Sequence, residues 1–267
     1  MHAADDLCLR LAAVNRTFST AILIGPAAPF RAALAARPDA AAKIGRLIAL
    51  DAAPIDGAIA ADPEYMPIAE GTVDLVVSVL ALHWVNDLPG ALIQIRRALR
   101  PDGLFLGAVF GGATLSELRA CLLEAELEAT GGASARISPF ADARDLGGLL
   151  QRAGFALPVC DADAIHVRYR DPSRLVEDLR DMGETGALAE RPRPLTRTIW
   201  AQAMALYAAR WPAGDARVQA TFEVLTMTGW APHESQQQPL RPGSARMRLA
   251  DALGVPEQSA GDPAGEP

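Results

Sequence analysis

Hydrophobic and polar positions alternate in two rhythms along the chain. Short apolar runs at 20–25 (TAILIG), 45–51 (GRLIALD), 73–80 (VDLVVSVL) and 103–110 (GLFLGAVF) predict strands, and the unbroken VDLVVSVL one that is buried on both faces. AIAAD at 58–62 predicts a short strand between the second and fourth, ending in an acid. Between these runs the apolar period lengthens to that of a helix. Residues 3–15 read as a helix, and Pro29 sits in the first turn of another, where its missing N–H costs nothing. Over 87–100, Leu88, Ala91, Leu92, Ile95 and Leu99 share one helical face, and Pro101-Asp102-Gly103 stops the run. Strands alternating with helices predict an α/β fold, a central mostly parallel sheet with helices on both faces. Beyond Phe110 the pattern changes. Helices are expected over 114–129 and 141–153, a strand over 155–169, two extra helices over 172–182 and 195–210, and a last strand over 220–230. One domain over 1–254 and a disordered tail over 255–267 (VPEQSAGDPAGEP) complete the reading.

Composition narrows the partners. The chain has 267 residues, half of them hydrophobic, enough for one large core. A net charge of -7 argues against a general nucleic-acid surface, which needs a basic face. Arginine outnumbers lysine so strongly that Lys43 stands alone, and alanine abounds, the composition of a high-GC bacterial genome. Cys8, Cys121 and Cys160 are odd in number and widely spaced. They suit a reducing cytoplasm better than a disulfide framework or a zinc site. No apolar run of about 18 residues suggests a membrane span, and the first residues, with two early acids, do not read as a signal peptide.

Candidate chemistry gathers where the parallel strands end, the place where ligands bind in open sheets. Gly25 follows the first strand and lets the backbone approach a ligand, since a Cβ would intrude. Pro26 after it has no N–H to donate, and a left-handed backbone at Ala27 or Ala28 would cost roughly 1–2 kcal/mol. A dinucleotide pyrophosphate is therefore poorly served here. Asp51 ends the second strand, where a carboxylate can accept from both hydroxyls of a ribose. Asp62 ends the third and can accept from an adenine amine. The alternative is that each acid caps a turn. His83 and Trp84 follow the fourth strand: His83 is a weak catalytic candidate, while Trp84 is expected to pack beneath the next helix. His166 falls on the exposed face of an alternating strand. No histidine pair has metal-ligand spacing, so no metal site is expected. No GxSxG elbow marks a serine hydrolase.

The stretch SVLALHWVNDLPGALIQIRRALRPDGLFLGAVFGGATLSELR carries a resemblance. With ISPFADARDLGGLLQRAGF, VEDLRDMGET and TGWAPHESQ, it is similar to the class I methyltransferase superfamily, and more narrowly to the complex I assembly factor 5 family. The malonyl-carrier-protein methyltransferases are more distant cousins. The resemblance implies a Rossmann-like fold and S-adenosylmethionine as cofactor. Asp51 would bind the ribose, Asp62 the adenine, and Ser78 would lie beside the methionine part. The family's acidic, glycine-rich loop of the type D-x-G-x-G-x-G is reduced here to Gly25, with Leu23 where the acid would stand.

Three functions remain open on these residues. One is an S-adenosylmethionine-dependent methyltransferase acting on a protein or carrier-linked substrate, supported by the acids at the strand ends. Another, implied by the resemblance alone, is an arginine hydroxylase of a respiratory complex I subunit. The third is a non-catalytic assembly or chaperone-like factor, favoured by the reduced loop.

Overall fold

The computed structural model describes residues 1–53, 57–186, 194–237, 247 and 249–256. The chain divides into two compact units, Met1–His233 and Glu234–Pro267. The second contains a short helix, Leu249–Leu253, closed by the Val255 N–H donating to the Ala250 carbonyl. The tail expected to be disordered lies, from residue 257 on, outside the described residues.

The first unit is built on a seven-stranded sheet. Its strands are β1 (Phe18–Ile24), β2 (Ile44–Asp51), β3 (Ile59–Ala60), β4 (Val73–Val79), β5 (Leu99–Phe110), β6 (Ala156–Tyr169) and β7 (Val218–Trp230). They lie side by side as β3-β2-β1-β4-β5-β7-β6. The first five run parallel, and β7 enters antiparallel between β5 and β6. This is the mostly parallel α/β sheet that the apolar runs predict.

Helices cover both faces: α1 (His2–Ala13), α2 (Ala27–Ala35), α3 (Pro38–Ala41), α4 (Leu88–Ala98), α5 (Ser116–Thr130), α6 (Ala143–Arg152), α7 (Pro172–Asp181) and α8 (Arg197–Arg210). Period-2 alternation splits each central strand between two cores. Leu23, Leu75, Val77 and Leu106 pack with α1, α2, α5 and α8 on one face. Ile22, Ile24, Val76 and Phe105 pack with α4 and α6 on the other. The helices begin where short polar side chains can cap them. Asp87, Asp142, Asp171 and Thr196 each accept a backbone N–H from the first turn that follows. The inserted pair α7 and α8 lies between β6 and β7 in the chain, as expected.

Two boundaries differ from expectation. The α4 helix stops at Ala98, and Leu99 already pairs with Val73. Pro101-Asp102-Gly103 therefore lies inside β5, as an irregularity where Asp102 has φ 64° and the register jumps between Val73 and Leu75. The other concerns β3, which has only two residues, so Asp62 lies beyond it in a turn rather than at its end.

Candidate functional site

Register brings the carboxyl ends of four neighbouring strands level. Ile24 of β1 pairs with Leu50 of β2 and Ser78 of β4, and Asp51 pairs with Ala60 of β3. Gly25, Asp51 and Ser78 therefore occupy one edge of the sheet, across strands spaced about 4.8 Å apart.

Gly25 turns the chain from β1 into α2 with φ 100°. Its N–H donates to the Leu50 carbonyl at 2.9 Å. A Cβ here would lie 2.7 Å from the Val79 oxygen and 2.9 Å from the Ala81 Cβ. Only glycine fits, because the turn passes hard against the end of β4. Pro26 is the N-cap of α2 and Ala27 its first residue, so the alanines adopt helical backbone and no left-handed cost arises there.

Both acids make turns. The Ala53 N–H donates to Asp51 Oδ1 at 3.2 Å, and Asp51 remains partly exposed. The Glu64 N–H donates to Asp62 Oδ1 at 2.8 Å, and the Tyr65 N–H to the Asp62 carbonyl. Asp62 is exposed. The same loop is tied to α4: Gln94 donates to the Glu64 carbonyl at 2.6 Å and accepts from the Met66 N–H.

Ser78 is fully buried, with Ile24 and Gly107 as its neighbours in register. Among the described residues, two buried side-chain polar atoms have no hydrogen-bond partner: Ser78 Oγ and His83 Nδ1. Both belong to the end of β4 and the turn after it. Buried polar groups are nearly always paired, so an unpaired one calls for an explanation.

His83 sits in a 3₁₀ turn, Leu82–Trp84, and faces a different part of the molecule. There a cavity of about 470 Å³ opens beside the ends of β4 and β5, walled by α5, α7, α8 and the segment 136–140. His83, Trp84, Phe110, Phe140, Glu184 and Trp200 are on its wall. Gly25, Asp51, Asp62 and Ser78 are not. The candidate residues thus divide into a strand-end row and a cavity, joined through β4.

The His83 ring is 5 % exposed and packs among Phe110 (5.1 Å between centroids), Trp84 (5.5 Å) and Phe140 (5.9 Å). Its Nε2 lies 3.1 and 3.3 Å from the two oxygens of Glu184, whose side chain is 14 % exposed. Trp84 does not pack beneath the next helix as expected; it is 39 % exposed on the cavity wall, because the 3₁₀ turn swings it outward before α4 begins. His166 is exposed as expected and bonds Thr221 Oγ1 away from the site.

The segment that carries Phe140 is fastened from α5. Arg136 donates two bonds to Glu126, Nε to Oε2 at 3.0 Å and Nη2 to Oε1 at 2.7 Å, and the Ser134 N–H donates a third at 3.1 Å. The guanidinium holds the Glu126 carboxyl below its ordinary pKa, outweighing the opposing effect of burial. The sequence alone gives no role to Glu184, Arg136 or Phe140, though Glu184 and Phe140 fall in the motifs quoted above and Arg136 immediately precedes one of them. Their chemistry depends on pairings across the fold. Among the described residues no group of three or more His, Cys, Asp or Glu is arranged to hold a metal ion, and no helix is long and apolar enough to cross a membrane.

Comparison with known proteins matches this architecture. Residues 38–107 match a family model described as a methyltransferase domain. The chain is 46% identical over 193 residues to the mitochondrial arginine-hydroxylase NDUFAF5 of Danio rerio, covering 72% of this chain and 60% of that protein. It is 35% identical over 190 residues to a malonyl-[acyl-carrier protein] O-methyltransferase of Halorhodospira halophila, covering 71% of this chain and 62% of that one. The chain therefore spans less than two thirds of the length of these curated relatives. In fold it is similar to the crystal structure of YcgJ from Bacillus subtilis, with a TM-score of 0.57 at 14% identity, covering 87% of this chain and all of that one. The strand order and this likeness agree on the class I methyltransferase fold, and residues 38–107 carry the match to a methyltransferase domain.

Proposed function

We propose that this protein binds S-adenosylmethionine along the carboxyl edge of β2, β1 and β4 and acts on a protein or carrier-linked substrate received by the aromatic cavity. The observation that carries the reading is the pair of unpartnered buried atoms, Ser78 Oγ and His83 Nδ1. One lies near the carboxyl end of β4 and the other in the 3₁₀ turn that follows, where a cofactor and a substrate would meet. Asp51 would hold the ribose, with part of its carboxylate still open to solvent. Asp62, exposed on its turn, would accept from the adenine amine. Gly25 supplies close backbone approach, and Ser78 a hydroxyl beside the methionine part. The residues present fit this group in outline, with fewer backbone donors on the methionine side because Pro26 offers none. When bound, the cofactor supplies an electrophilic methyl group. Such transfer depends on positioning and exclusion of water more than on a set of acids and bases.

A second reading is favoured by the cavity. Its aromatic walls and the Glu184 carboxylate suit a planar cation such as the side chain of arginine. Relatives named arginine-hydroxylases, at 46% identity, support it, and the resemblance to complex I assembly factors makes a respiratory subunit the partner of choice. All three cysteines are free, two of them buried, which suits the reducing conditions of a cytoplasm.

Calorimetry with S-adenosylmethionine, backed by thermal shift, tests the first reading. At a hundred times the dissociation constant, ligand stabilises the fold by about 2.7 kcal/mol. The shift is expected in the wild-type protein and should vanish in Asp51→Ala. No binding at millimolar ligand would remove the methyltransferase reading and leave a cofactor-free assembly role.

A further inference from the structure

His83 and Glu184 lie 101 residues apart in the chain and meet on the cavity wall. A carboxylate only accepts, so the hydrogen between Nε2 and Glu184 belongs to the imidazole. In the neutral ring the lone pair then resides on Nδ1. That nitrogen is buried and has no partner among the described residues. The surrounding rings of Phe110, Trp84 and Phe140 fix the imidazole without competing for its lone pair. Glu184 itself is placed by the end of α7. Its N–H donates to the Leu179 carbonyl at 2.8 Å, after Gly183 turns the chain with φ 78°.

We propose that Glu184 is a positioning residue, fixing His83 so that Nδ1 presents its lone pair to a hydrogen-bond-donating nitrogen or oxygen of the cavity's occupant. The occupant class is a flat group with N–H or O–H donors and little acceptor character, of which a guanidinium is the simplest. A guanidinium keeps its protons and is bound through this hydrogen bond alone; from a neutral N–H or O–H donor the proton leaves for Nδ1 on reaction, and the electron pair stays on the occupant's atom. The ring becomes an imidazolium whose charge Glu184 balances through Nε2–H. The inference rests on the proposal that the cavity receives the substrate. It does not depend on which cofactor, if any, occupies the strand-end row.

The test is nitrogen NMR on the full chain labelled with ¹⁵N-histidine at neutral pH. Four histidines are present, and His83→Gln identifies the resonance. Wild type is expected to show hydrogen on Nε2 and a bare Nδ1. Glu184→Ala should release the ring into a mixture of tautomers, and Glu184→Asp should restore the wild-type pattern. Hydrogen on Nδ1 in the wild type, or an unchanged tautomer in Glu184→Ala, overturns the proposal. Methylguanidinium, a probe with donors and no acceptor, should shift the His83 Nδ1 resonance, while acetate should not. An equal response to both, or none to methylguanidinium, also overturns it. Calorimetric S-adenosylmethionine binding on the same samples reports separately on the cofactor reading, so failure of one is not failure of the other.

Discussion

Arg136 grips Glu126 with two parallel hydrogen bonds, and this pair, 12 % and 4 % exposed, ties the segment bearing Phe140 to α5. Bidentate geometry makes such a contact stronger and more directional than a single bond. Replacing the carboxylate by an amide removes its charge and one of its two accepting oxygens. Glu126→Gln is therefore expected to cost about 1–3 kcal/mol of unfolding free energy at neutral pH. The sign of the pH dependence follows from the carboxyl being held below its ordinary range. A group whose folded pKa is lowered contributes stability that is fully present above its unfolded value. That contribution is lost as pH falls through the folded value. Urea unfolding of wild type and Glu126→Gln from pH 7 down to pH 3 should show the gap between them closing in acid. A gap that stayed constant would mean that the ionised pair contributes nothing.

Gly25 offers a sharper steric case. An added Cβ meets a backbone oxygen at 2.7 Å, and backbone cannot rotate away as a side chain can. The positive φ adds a cost of about 1–2 kcal/mol for any other residue, and overpacking adds about 1–3 kcal/mol. Gly25→Ala is expected to lower stability by an amount in the combined range, measured as a fall in the urea midpoint. Ala28→Gly, at the second residue of the same helix, should cost no more than about 1 kcal/mol. Equal losses for both would show that the close approach to Val79 does not matter.

The strength of the apolar pattern decides how much of this could be read from the chain. The strands β1, β4 and β5 are legible because burial on both faces leaves continuous runs such as VDLVVSVL. The end of α4 is not, because Leu99 and Arg100 continue a helical pattern while pairing in β5. Asp62 looks like a strand end because AIAAD is apolar, yet only Ile59 and Ala60 find partners. At the strand ends, the positions of Gly25 and Asp51 are legible since the strands that carry them place them at one edge, and Ser78 enters by resemblance. Glu184 is not legible, because nothing in MGET announces a histidine 101 residues away. Such a pairing exists only once α7, packed against α8 and β6, brings residue 184 to the cavity wall.

Thiol chemistry provides a check on the two cores. Burial pushes the Cys8 thiol up to about 11, with Asp5 adding to the effect, and burial does the same for Cys121. At pH 8 about a thousandth of either would be thiolate, before access is considered. Cys160, half-buried on β6, is raised as well. Alkylation of the native protein at pH 8 should therefore be slow and begin at Cys160, with Cys8 and Cys121 modified only on unfolding. Mass spectrometry of the peptides gives the order. Rapid labelling of Cys8 would mean that α1 does not stay docked on the sheet.

Ser78 separates structure from function most directly, because its two roles have opposite signs. A hydroxyl buried without a partner is a liability in the ligand-free protein. Replacing the hydroxyl by hydrogen removes one oxygen and no packing carbon. Ser78→Ala is therefore expected to stabilise the ligand-free fold by about 1 kcal/mol, the scale of an unmet hydrogen bond. If Ser78 meets the cofactor, the same substitution should weaken S-adenosylmethionine binding by about threefold to tenfold, corresponding to one lost neutral hydrogen bond. Chemical unfolding without ligand and calorimetry with it measure the two effects on one variant. Higher stability with weaker binding is the expected result. Lower stability with unchanged binding would make Ser78 a packing residue and shift the case for a cofactor site entirely onto Asp51 and Gly25.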